Sequence, residues 1–268
     1  MCRKILLLLA LILVSGLFMG HDLFLKMNSY LIRPGKPVQI ALYNGTFIRS
    51  ENVITRDRMV DVSILTPRER LHPDTSQWRN DGTRTVLTFV PEKEGTYVIG
   101  VSTAPRQISL SAQQFNEYLL HDGVLGIYAL REQRKELNRP AREKYSKHVK
   151  AVLQAGKKRT ANCTVPLGYP VEFVPLQNPY GLRSGDTLEV RFLVAGKLVA
   201  GQDVFAGCQR LSGKMSPEQH LKTGPHGKVR LPLQSAGRWY LRTIFMVPSP
   251  KAGLDYESKW ATLTFEVR

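Results

Sequence analysis

"RPGKPVQIALYNG" (Arg33 to Gly45) is the stretch on which the fold turns. A basic residue and a Gly turn lead into Val38, Ile40 and Leu42, apolar at every second position, before a second Gly ends the run. A period of two marks a half-buried strand, because successive side chains leave a strand on opposite faces. "RSGDTLEVRFLVAG" (Arg183 to Gly196) repeats the arrangement. Later in each half, "EGTYVIGVST" (Glu94 to Thr103) is echoed by "AGRWYLRTIF" (Ala236 to Phe245), where a Gly precedes a short aromatic and β-branched strand. Strands and Gly, Pro and Asn turns recurring in two halves predict a mainly β chain of two immunoglobulin-like or transthyretin-like sandwich modules. The boundaries read as 21–105 for the first module and 161–268 for the second, with an α-helical insertion over 106–160. In the closing "WATLTFEVR", Ala261, Leu263, Phe265 and Val267 share one face, and Trp239, Tyr240 and Trp260 read as core aromatics.

The insertion departs from the strand pattern. "SAQQFNEYLLHDG" spells a capping box at Ser111 and Gln114 and a stop at Gly123. "VLGIYALREQRKELN" reads as a second helix. Pro140 is expected to open a third, with Tyr145, Val149, Val152 and Leu153 on one face until Gly156. From Arg131 to Arg159 there are eleven Lys or Arg against three Glu. That basic helical hairpin is either a solvated face or a docking surface for anionic lipid or cell-wall polymer.

Residues 1–20 read as an export signal: Arg3 and Lys4, then the apolar "ILLLLALILV", then the small residues of "SGLFMG". Cleavage fits after Gly16, with Val14 and Gly16 as the small pair, or after Gly20, where Phe18 is a poorer match. The expected location is periplasmic or secreted, with an uncleaved N-terminal anchor as the alternative. Across 268 residues, 38 Lys or Arg against 22 Asp or Glu leave a formal charge of +16, which favours anionic partners. Nucleic acid is not expected among them, since neither a zinc finger nor an aromatic-basic ribonucleoprotein signature occurs. Beyond the leader only Cys163 and Cys208 remain, enough for one disulfide or for two free thiols.

No nucleophile elbow, phosphate loop or His-Glu-x-x-His helix is spelled out, so a non-enzymatic protein is expected. Asp255 and Glu257 could share a face, as many exposed acids do. Among the histidines, His72, His121, His220 and His226 sit in loops, turns or a helix end. His148 falls in the middle of the expected third helix. His21 stands where the leader ends, in "MGHDLFLK". As a first residue its amine and ring would chelate copper or nickel, and as an internal residue it is an ordinary imidazole.

The chain after the leader resembles a bacterial family of exported proteins of unassigned function, often labelled periplasmic nickel- or cobalt-uptake components. The resemblance rests on "HDLFLK", "GTYVIGVSTAPRQISLSAQQFNEYLLHDG", "RPAREKYSKHVKAVLQ", "PLGYPVEFVPLQNPYGLRSGDTL", "AGRWYLRTIFMV" and "DYESKWATLTFEV". It implies a two-module β protein handling a nickel, cobalt or copper ion, with His21, His148, Met246 and Glu257 lining the site and envelope metal-transport components as partners. The resemblance also implies a histidine in many relatives where this chain has Phe245, and Phe245 cannot ligate a metal. Two further readings follow: an envelope-binding sandwich acting through its basic helices, and a copper enzyme built on an N-terminal histidine chelate.

Overall fold

The computed structural model describes residues 21–268, so the expected leader and both cleavage positions lie outside the described residues. In chain order the first strands are β1 (Asp22–Lys26), β2 (Leu31–Ile32), β3 (Val38–Gly45), β4 (Met59–Leu65), β5 (Arg70–Leu71), β6 (Trp78–Asp81), β7 (Arg84–Phe89), β8 (Gly95–Thr103) and β9 (Arg106–Leu110). Two helices follow, α1 (Ala112–His121) and α2 (Leu125–Gln133). The remaining strands are β10 (Ala141–Ala155), β11 (Val171–Pro175), β12 (Thr187–Val194), β13 (Lys197–Leu198), β14 (Asp203–Arg210), β15 (Gln219–Lys222), β16 (Lys228–Pro232), β17 (Gly237–Pro248) and β18 (Tyr256–Val267). The chain is mainly β, as the period-two runs predict. No described helix is long and apolar enough to cross a membrane.

The strands form three sheets. A ten-stranded sheet runs β15-β14-β17-β18-β10-β8-β4-β5, with β2 and β9 also paired to β10. Two four-stranded sheets, β1-β3-β7-β6 and one centred on β12 between β11 and β16, complete the fold. One hydrophobic core gathers residues from Leu23 to Val267, so both halves of the chain contribute to it. The expected inward face of β18 is there: Ala261, Leu263, Phe265 and Val267 are fully buried. β1 lies across the large sheet, where the Thr262 and Thr264 hydroxyls donate to the carbonyls of Leu23 and Leu25 at 2.7 Å each.

The insertion keeps two of its three expected helices. Ser111 Oγ accepts from the Gln114 amide and Gln114 Oε1 accepts from the Ser111 amide, closing the capping box. At Gly123 the chain takes φ +75°, and a Cβ there would fall 2.2 Å from the Phe205 ring.

Pro140 opens no third helix. Residues 141–155 are β10, the central strand that joins the two halves of the large sheet. It runs parallel to β18 from Glu143 beside Tyr256 to Ala151 beside Thr264. The helix-forming Arg, Glu, Lys and Ala of this run are overridden by pairing on both edges. Because the strand is covered on both faces, apolar and polar residues alike are buried and no period-two signal survives. His148 is therefore mid-strand. The basic hairpin loses its third helix and three of its eleven cations to the interior, Arg131, Lys147 and Lys150, while Arg134, Lys135, Arg139, Arg142, Lys157, Lys158 and Arg159 stay exposed. Arg131 donates to the carbonyls of Glu136 and Arg139, and Lys150 pairs with Glu172 at 2.8 Å. Cys163 and Cys208 are buried free thiols rather than a disulfide.

Candidate functional site

Midway along β10 the sheet opens. The ladder to β9 covers Ala141–Tyr145 and the ladder to β8 covers Val152–Ala155. Between them the Lys147 amide finds a side chain instead of a strand, donating to Thr103 Oγ1 at 3.0 Å. A cavity of about 160 Å³ sits at this gap. Odd-numbered residues of β10 face it, so Glu143, Tyr145 and Lys147 line one wall. Tyr118 of α1, Trp260 of β18, and Ile108 and Leu110 of β9 supply much of the rest. His21, Asn44 and Arg58 complete the lining.

Lys147 is the buried cation of this cavity, which Arg58 also lines. Its ammonium donates to the His21 carbonyl and, at 3.2 Å, to Asn44 Oδ1, and stands 5.0 Å from the centre of the Trp260 ring. An ammonium has three donors, so one remains for a ligand. Burial lowers its pKa, against the pull of Asp22. On the same wall, Glu143 Oε1 accepts from Tyr118 at 3.2 Å and from the Ser258 hydroxyl, and Trp260 Nε1 donates to Ser258 Oγ at 3.2 Å. Burial pushes the Glu143 carboxyl up to about 7, so it exchanges its proton near neutrality. Nearby, Arg242 engages both oxygens of Glu218 at 2.8 Å and lies 3.6 Å from Asp22.

The four residues implied by the resemblance do not meet. His21 borders the cavity, its Nε2 2.5 Å from Glu51 Oε2. His148 points to the other face of β10, beside Tyr169, with Nδ1 2.9 Å from Ser102 Oγ and Nε2 2.9 Å from Ser146 Oγ. Both ring nitrogens are thus engaged. Burial, helped by the Lys259 charge, holds its pKa down to about 4. Met246 is packed among Phe115, Tyr256 and Trp260. Glu257, next to Tyr256 on β18, is tied to Lys251 at 3.0 Å. Among the described residues, no three His, Cys, Asp or Glu side chains cluster closely enough to hold a metal. As one coordination sphere the four do not fit.

Lys147, Glu143, Tyr118 and Trp260 were not anticipated from sequence as a site. The signal was available in "EKYSK", where Glu143, Tyr145 and Lys147 alternate, but only a strand puts them on one face.

The model for a family described as a domain of unknown function, DUF4198, matches residues 18–246. The chain belongs to that family. No curated protein matches it. Among solved structures, the DUF4198 chain is similar to a tetra-tandem repeat from the extending region of a large adhesion protein. Identity is 9% over 91% of this chain and 49% of that one, with a TM-score of 0.25. Trypsin-activated alpha-2-macroglobulin from Escherichia coli gives 9% identity over 92% and 15%, also at 0.25. A DUF4785 family protein from Legionella pneumophila gives 10% over 80% and 49%, at 0.23. The chain spans half or less of each of these chains, and scores this low carry no functional argument. Nothing in these likenesses bears on nickel or cobalt uptake.

Proposed function

We propose that this chain is a non-enzymatic binding protein of the cell envelope, built on immunoglobulin-like β layers, whose cavity takes a small organic anion. The observation that carries the reading is Lys147: a buried ammonium with one uncommitted donor, set in a cavity whose other walls are largely apolar and aromatic. A buried cation without a full set of partners is costly, and an anion would complete it. A cavity near 150 Å³ accommodates a molecule the size of benzene, which limits the ligand to about six heavy atoms. Ile108, Leu110 and Trp260 suit an apolar body, and Lys147 with Arg58 suits a carboxylate head.

Thermal-shift and calorimetric titration with short aliphatic and aromatic carboxylates tests this. Binding by the wild type that is lost in Lys147→Met supports the reading, and a flat response across the series ends it.

One observation favours a second reading, a site for nickel, cobalt or copper used in uptake: the imidazole and carboxylate of His21 and Glu51 face each other beside the cavity. Two donors of this kind suit a borderline transition metal whose remaining positions are filled by water or a small chelator. Equilibrium dialysis against the three metals should then show binding lost in His21→Ala and kept in His148→Ala. Equal binding by all three proteins removes the metal reading. The copper-enzyme reading requires His21 as the first residue, which N-terminal sequencing of the exported protein decides.

A further inference from the structure

A second groove lies where the end of β10 meets the end of β18. It encloses about 460 Å³ and draws its lining from segments far apart in sequence. Four are cationic and exposed: Lys157, Arg159, Arg183 and Arg268. None of the four forms an ion pair with a carboxylate among the described residues. Glu266, the acid among the lining residues, is buried and turned to the Tyr30 amide, which donates to its Oε2 at 3.0 Å. Glu94 lies against Gly156 and is not part of the lining.

The cations are mounted on a fixed frame. β10 ends at Ala155, and Gly156, with φ of +67°, starts the turn that carries Lys157 and Arg159. Beneath it, the buried Gln154 side-chain amide donates to the carbonyls of Ala155, Gly156 and Lys158 at 3.2, 3.2 and 2.8 Å. Gln154 is itself held by the Thr96 hydroxyl at 2.8 Å, and Asn178 ties Thr96 Oγ1 to the Thr160 carbonyl at 2.7 and 3.0 Å. Across the groove, the Asp186 carboxylate accepts from the Arg183 amide at 2.9 Å and fixes that turn too. The backbone is therefore organised before any ligand arrives, and only the side-chain ends need to settle.

We infer that this groove binds phosphate groups of an oligoanion, gripped by Lys157, Arg159 and Arg183 over a floor of Tyr180 and Leu182. Guanidinium forks match two phosphate oxygens at once, and like charges left unpaired in one groove repel until an anion neutralises them. The volume exceeds that of one phosphate, so linked phosphates or a row of headgroups fill it better than a single ion. This site is separate from the Lys147 cavity, shares no lining residue with it, and stands whether or not that cavity binds a carboxylate.

Calorimetric titration of the purified full chain with sodium tripolyphosphate, at low and at near-physiological salt, is the first arm. Binding should weaken with salt and fall about tenfold or more in Arg159→Glu/Arg183→Glu, as expected for loss of charge-assisted hydrogen bonds. Arg134→Glu/Lys214→Glu, the same charge change away from the groove, should shift it less than about twofold if the effect is local. Lys157→Glu gives a second, single-site check, and a thermal melt of each variant confirms folding. Co-sedimentation with phosphatidylglycerol vesicles against phosphatidylcholine vesicles is the second arm. Sedimentation that Arg159→Glu/Arg183→Glu abolishes assigns the phosphates to lipid headgroups, and tripolyphosphate binding without sedimentation assigns them to a soluble oligophosphate. No binding in either arm, or equal losses in the groove and control variants, overturns the inference.

Discussion

His148 spends both ring nitrogens on the hydroxyls of Ser102 and Ser146, and that leaves no lone pair for a metal. Its pKa of about 4 in the folded chain lies below the 6.5 of an unrestrained imidazole. The unfolded chain therefore takes up a proton that the folded chain refuses. Stability from this residue is complete above pH 6.5 and is lost as pH falls through the folded value, by up to about 3 kcal/mol. Urea unfolding at pH 7.5 and 4.5 should show a steeper acid loss for the wild type than for His148→Gln. Glu143 has the opposite sign. Its folded pKa is raised to about 7, so ionisation between pH 4.5 and 7 costs the folded state stability, which Glu143→Gln avoids. The same ionisation sets a negative charge beside any bound carboxylate. Affinity for a carboxylate should thus rise as pH drops from 8 to 6, and because Lys147, lowered to about 8, gains its proton over the same range, titration of Glu143→Gln should show a smaller rise than the wild type.

At the scale of the element, β10 carries both the fold and the cavity. Its cavity-facing residues are Glu143, Tyr145 and Lys147, and its other face buries Ser146, His148 and Lys150. Lys150 and Glu172 are each almost wholly enclosed, and Glu172 also accepts from the amides of Leu167 and Gly168 at 2.9 and 2.8 Å. Lys150→Met leaves that carboxylate buried without its counter-charge and should cost about 3–5 kcal/mol in urea unfolding. Lys150→Met/Glu172→Gln should recover part of the loss, since glutamine still accepts one of the two amides through its carbonyl oxygen. The alternating strands were legible in the sequence: Val38, Ile40 and Leu42 are apolar because that face of β3 meets the main core. The capping box was legible too, since Ser111 and Gln114 satisfy the start of α1 without distant help. β10 was not. A strand covered on both faces keeps its charges by long-range pairing, and Glu172 and Asp255, which hold Lys150 and the Arg142 amide, lie far along the chain. Read as a helix, the same residues do not share a face, so the alternation that builds the cavity wall disappears as well. His21 was legible because its position where the expected leader ends draws notice whatever the fold.

For the molecule as a whole, strands from both halves share one sheet and one core. Residues of the first half, such as Ile64 and Ile99, and of the second, such as Leu241 and Leu263, sit in the same buried cluster. Breaking either half exposes apolar surface of the other, so unfolding should be one cooperative event. Denaturation followed by tryptophan fluorescence and by far-ultraviolet circular dichroism should give coincident midpoints. Two separated transitions would instead mark the halves as independent units.

The parallel contact of β10 with β18 has a consequence in time. About a hundred residues separate Ala155 from Tyr256, and they must be synthesised before that edge of β10 is covered. Until then the growing chain carries a long strand with one edge unpaired at what will be the middle of its sheet, open to pairing with another chain. Closure depends on the last segment made, so the order of events is set by topology: the sheet cannot be completed from its first half outward. A ribosome that stops before Tyr256 releases a chain with its central seam open.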